Sequence, residues 1–206
     1  MNELEVNELE VLVNRVSRDL QEIHNLLLGE GKVQEPGRLG IRFPRGYIRK
    51  LNEFEERLPF VVDPILKRNI SYAFQYTDLL RWMSNWFDIG LSILSIHNKT
   101  GILVFASIAE AMMVGFIQSS GGSLKCSEDA TFYEMIRCLH KESVLSQDLV
   151  EGLDWLREQR NNIHLKKVSL EEQSKEYEKY SFGEYNRARN LVQALNNALI
   201  EEYYKH

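Results

Sequence analysis

The chain has little of what ties a protein to the commoner chemistries. Two of its 206 residues are cysteines, Cys126 and Cys138. That is too few for a disulfide framework, and no CxxC pair offers a zinc site. They are read as two reduced thiols of a cytosolic protein. Four prolines and twelve glycines are too few for a loop-rich or disordered chain. The net charge of −5 excludes a global basic field, so any polyanion site is a local patch. No Walker loop, GxGxxG, GxSxG or HExxH is present, and no carboxylate–histidine cluster suited to a metal. The expectation is no cofactor and no metal. Met1-Asn2-Glu3-Leu4-Glu5 is acidic and lacks a signal-peptide pattern. The most apolar run, Gly101 to Ile117, is interrupted by Glu110 and is slightly short for a bilayer, so it reads as a buried bundle helix. These readings place the protein in the cytoplasm, off the membrane.

Strand signals are missing too. No segment alternates apolar and polar residues, and no Asn-Gly hairpin signal or internal repeat is found. Helical periodicity is what remains. Val6, Leu9, Val13, Val16, Leu20, Ile23 and Leu27 form a heptad seam over residues 1–30. It fits equally a helix packed on its own domain and a coiled coil or a helix docked on a second subunit. Residues 31–60 read as a Gly/Pro-rich linker with a short helix near Tyr47–Leu58. From Lys32 to Lys50 six cations (Lys32, Arg38, Arg42, Arg45, Arg49, Lys50) face Glu35 alone. Spaced arginines of this kind can hold phosphates, although a solvated linker reads the same way.

Residues 61–206 carry the long helices. Asp63-Pro64 is a cap followed by proline at the first helical position, opening a helix to about Phe87. Its aromatics (Tyr72, Phe74, Tyr76, Trp82, Trp86, Phe87) read as core and interface packing. Gly90 and Asn98–Gly101 flank a short connection or continuation, then an apolar helix covers Ile102–Ser119. Further helices start near Ser127–Ala130, with Phe132, Met135, Ile136 and Leu139 on one face, and near Ser146. The last spans Phe182–Tyr204, with a stripe of Tyr185, Ala188, Val192, Leu195 and Leu199. The expected fold is all-α, an up-and-down four-helix bundle with an N-terminal heptad helix and extra short helices.

One helix breaks its own pattern. Leu149, Leu153 and Leu156 make a packing stripe that Ile163 continues, but the next stripe position after Leu156 is Arg160. Arg157 and His164, about two turns apart, share a flank of that stripe. Arg160 is a permanent cation with a planar fork suited to phosphate oxygens. Histidine moves protons near neutral pH. Together they are a minimal kit for cleaving RNA without metal: a base for the ribose 2′-hydroxyl and a cation for charge on phosphorus. Glu110, an acid in an apolar helix, needs a counter-charge and is expected to contact Arg160. His24, His97, His140 and His206 read as surface or packing residues. As a structural reading, Arg160 neutralises Glu110 and His164 caps a helix end.

Leu156-Arg157-Glu158-Gln159-Arg160-Asn161-Asn162-Ile163-His164, late in a helical bundle, resembles the signature of the HEPN superfamily: Arg, four to six residues, then His, often with a polar residue after the Arg. The helix bearing Phe105-Ala106-Ser107-Ile108-Ala109-Glu110-Ala111 is similar to an earlier core helix of that group. The resemblance spans residues 63–206. It implies a dimeric, metal-independent endoribonuclease with one composite cleft, of the kind used as toxins or in phage defence. His164 would be the base or acid, Arg157 or Arg160 the phosphate clamp, and Asn161 the orienting group. The implied partners are RNA, a second copy, and an antitoxin or defence-system protein. Arg160 has the following asparagine but only three residues before His164, whereas Arg157 has the spacing of six but is followed by Glu158. Either arginine remains the functional match. Other members bind or dimerise without cleaving, which is the alternative here. A third reading, from the acidic charge, is the partner of a toxin.

Overall fold

The computed structural model describes residues 11, 12, 14–16, 18, 19, 22, 48–86, 89–127, 129–161 and 180–205. Most of the heptad segment and the Gly/Pro-rich stretch to residue 47 lie outside them. The described residues of the first segment are helical, and Val16 of the seam is exposed. Six further helices follow: α1 (Leu51–Glu55), α2 (Pro64–Trp86), α3 (Leu91–Ser119), α4 (Phe132–Lys141), α5 (Gln147–Asn161) and α6 (Phe182–Tyr203). No strand occurs among the described residues, and the fold is all-α.

The chain divides into two compact units, residues 1–47 with 81–94, and residues 48–80 with 95–206. The second holds the buried core. Helix α1 lies within the short helix expected near Tyr47–Leu58, and Phe54, Leu58 and Phe60 are buried, with Val61 beside them. Phe54 stacks on Phe74 of α2, and Phe60 meets Phe116 of α3 edge to face at 6.0 Å. Apolar side chains this close to α2 and α3 join the same core.

Capping accounts for the helix starts. Asp63 accepts the Ile65 amide at 2.8 Å, ahead of Pro64. Thr131 Oγ1 accepts the Glu134 amide while Glu134 accepts the Thr131 amide, a reciprocal capping box that starts α4 at Phe132. Ser181 Oγ accepts the Glu184 amide to start α6. The expected faces are buried: Phe132, Met135, Ile136 and Leu139 on α4, and Tyr185, Ala188, Val192, Leu195 and Leu199 on α6.

Two expectations need correction. Helix α3 does not open at Ile102 but runs unbroken from Leu91, straight through Gly101. A Cβ at Gly101 would lie 2.3 Å from the Tyr185 ring, so this glycine admits a close neighbour from α6 rather than ending a helix. Asn98 Nδ2 donates to the Tyr180 carbonyl in the same place. Helix α3 is long and apolar enough to cross a membrane, but 61% of its most apolar window is buried in the protein. The cysteines are the second correction: Cys126 and Cys138 are joined in a disulfide, with Cα atoms 5.8 Å apart. The path of the α3–α4 connection brings Cys126 back to α4, which a cysteine count does not reveal.

Candidate functional site: the last turn of α5

Helix α5 starts conventionally. The Ser146 carbonyl accepts the Val150 amide at 3.0 Å, and Leu149, Val150, Gly152, Leu153 and Leu156 are buried. Gly152 admits α6 to contact: a Cβ there would lie 2.2 Å from Leu191 Cδ2. Beyond Leu153 only Leu156 is buried, and the other side chains reach three neighbours. The Arg187 guanidinium of α6 covers the Trp155 ring at 4.2 Å. Arg157 reaches towards α4, and Arg160 towards α3.

Arg160 Nη1 lies 2.8 Å from Glu110 Oε2, the contact expected from the isolated acid in α3. The pair is half-buried, with 37% and 27% of the two side chains exposed. Arg160 therefore does not break the core. Its stem leaves the apolar stripe at the edge and its head stays near water. A half-exposed pair of this type contributes at most about 1 kcal/mol.

Arg157 is deeper, at 23% exposure, and sits in a cluster that α4 completes. Its Nε is 3.5 Å from Asp154 Oδ1, and its Nη2 is 3.7 Å from Glu158 Oε1. Asp154 also bonds Arg137 through Oδ2. Both guanidiniums, Arg137 at 4.9 Å and Arg157 at 5.4 Å, lie over the Tyr133 ring. The hydrogen bond with Tyr133, and then the Asp154 charge, hold the Arg137 pKa above its ordinary value against desolvation. Arg157 Nε and Asp154 Oδ1 are both buried and make no hydrogen bond among the described residues, even to one another. They are in ion-pair range but not aligned, which leaves a directed donor unfilled.

Asn161 ends the described helix and is exposed. His164 lies outside the described residues, as do Arg38, Arg42 and Arg45. Arg49 and Lys50, proposed from the same basic run, are described. Arg49 donates to Asp78 through Nε at 2.8 Å and Nη2 at 2.7 Å and lies over Phe54, so it fastens the start of α1 to α2. Lys50 supplies the amide that Glu53 caps. Thus Arg157, Arg160, Asn161 and Glu110 gather at one end of α5, and Arg49 and Lys50 serve α1. Tyr133, Arg137 and Asp154 were missed. The spacing of four between Tyr133 and Arg137, on the polar side of an amphipathic helix, is a sequence signal for that pair but not for Asp154.

The two described histidines of this unit serve structure. His97 Nε2 bonds the Leu80 carbonyl at 2.7 Å, and His140 Nδ1 bonds the Leu145 carbonyl at 2.8 Å. A groove of about 770 Å³ lies at the opposite end of α5, lined by His140, Asp148, Leu149, Leu191 and Lys205 among others. It includes none of the arginines. No group of three or more His, Cys, Asp or Glu converges among the described residues. No protein-family model, curated protein or solved structure matches the chain.

Proposed function

We propose that the protein is a HEPN-like, metal-independent endoribonuclease built on a four-helix bundle, acting in the cytoplasm as a homodimer, as a toxin or phage-defence effector. The observation that carries this reading is the last turn of α5. It presents Arg157 with a buried, unfilled Nε donor, Arg160 one turn on, and Asn161 beside it, three residues before His164. In this reading His164 takes the proton of a ribose 2′-hydroxyl. The resulting oxygen attacks the adjacent phosphorus, the 5′-oxygen leaves and is protonated, and a 2′,3′-cyclic phosphate remains. Arg157, whose side chain is 23% exposed, neutralises the charge that grows on the phosphoryl oxygens. Arg160 is held by Glu110 and sets the electrostatics of the turn. Asn161 orients the phosphate.

The choice of Arg157 over Arg160 follows from their partners. Arg160 is engaged at 2.8 Å, whereas Arg157 has only longer ion pairs. The test is cleavage of a labelled single-stranded RNA by the full chain in EDTA, with His164→Ala as control and circular dichroism to check its fold. Cleavage lost in the variant is expected; equal cleavage by both proteins rejects the reading. A second reading has an observation of its own. Both arginines already face carboxylates, Glu110 and Asp154, as in a module that binds RNA or a partner without cutting. RNA binding with no cleavage under any condition would favour it.

A further inference from the structure

The Cys126–Cys138 bond plays no part in the arginine turn's chemistry. Helix α4 also holds itself without it. Phe132, Met135, Ile136 and Leu139 are each at most 4% exposed, and the Thr131–Glu134 box caps the first turn. What the bond does fasten is the connection from α3 to α4. There Leu124, Cys126 and Ala130 rest half-buried against the core, and the segment starts at Gly121 (φ 56°) and Gly122 (φ 89°). Both backbone conformations belong to the left-handed region where glycine moves freely. Small domains rely on disulfides when their core is too small; this unit has a large apolar core and no such need.

Two features suit the bond to exchange. Both cysteines are half-buried rather than sealed in the core. The chain has only these two cysteines, so opening gives one dithiol with no competing intramolecular pairing. Arg137, which precedes Cys138, joins Asp154 and Tyr133, so the bond's α4 end lies next to the cluster that holds Arg157.

We propose that Cys126–Cys138 is a reversible thiol–disulfide exchange site for a dithiol reductant, and that opening it releases the α3–α4 connection from the side of α4. A thiolate of the reductant attacks one Sγ, the S–S bond breaks, and the other Sγ leaves as a thiolate that takes a proton. The second thiol of the reductant then displaces the first cysteine from the mixed disulfide. The protein gains two electrons and two protons, and the reductant becomes a disulfide. Closure runs the same steps in reverse, with the disulfide form of the couple as oxidant.

The experiment uses the full chain without denaturant and without RNA, so its outcome is separate from that of the ribonuclease reading. The oxidised protein should take up no iodoacetamide. After dithiothreitol it should take up two equivalents, and oxidised dithiothreitol should restore the unlabelled state. Amide exchange at residues 120–130 should quicken at least tenfold on reduction, while residues 135–139 stay protected. The Cys126→Ser/Cys138→Ser double variant should match the reduced protein, with a Tm lower by roughly 5–10 °C. Three results would overturn the proposal: labelling before reduction, labelling that requires denaturant even with dithiothreitol, or equal exchange at residues 120–130 in the two states.

Discussion

The first three turns of α5 are held by packing, whereas its last turn is held by charge. Leu149, Val150, Leu153 and Leu156 fill the core, and Gly152 lets Leu191 of α6 into contact. One turn later Arg157 and Arg160 meet Asp154, Glu110 and the Tyr133 ring, each partly exposed. Burial of apolar area dominates stability, and half-exposed ion pairs add little. The packed turns can therefore fix the helix while the ion pairs of the last turn stay partly exposed. Substitutions in the two regions should differ accordingly.

The largest effect is expected from Leu153→Ala, a fully buried site. It should destabilise the protein by about 2–5 kcal/mol in urea unfolding; a loss below about 1 kcal/mol would remove the contrast between the two regions. Gly152→Val comes next. Its Cβ would overlap Leu191, and a loss of about 1–3 kcal/mol is expected from overpacking.

Much of this contrast was readable in sequence, because periodicity reports which face is buried. The stripe Tyr185, Ala188, Val192, Leu195, Leu199 is buried throughout, and the lone acid Glu110 pointed to Arg160. What escaped was non-local. Gly101 looks like a helix break until Tyr185 is seen above it. Tyr133, Arg137 and Asp154 are ordinary surface residues on their own helices and become a cluster only when α4 lies beside α5. The disulfide depends on the path of a connection, and Phe60 meets Phe116 across the fold. In each case the deciding neighbour is distant in sequence.

Smaller effects sharpen the comparison on its polar side. Thr131→Ala removes the side-chain half of the cap that starts α4 and should cost about 1 kcal/mol, measured by the same urea unfolding. The amide and hydroxyl of Thr131 hold the Glu134 carboxyl below its ordinary pKa. Its contribution is therefore present above the unfolded value of about 4.3 and is lost as pH falls through the lower folded value. A carboxyl NMR titration should show Glu134 moving back towards that ordinary value in Thr131→Ala; an unchanged midpoint would assign the shift to the backbone bond alone. Smallest of all, Glu110→Gln should cost less than about 1 kcal/mol, and a double-mutant cycle with Arg160→Gln should give a coupling of the same size. A coupling several-fold larger would make Arg160 part of the structural core.

The most direct measurement is cleavage of single-stranded RNA in EDTA by the full chain, compared with Arg157→Gln and His164→Ala at matched helicity. The expected result is cleavage by the wild type, loss of at least a hundredfold in His164→Ala, and a comparable loss in Arg157→Gln that exceeds the effect of Arg160→Gln. Undiminished cleavage in both variants would contradict a ribonuclease site in the last turn of α5.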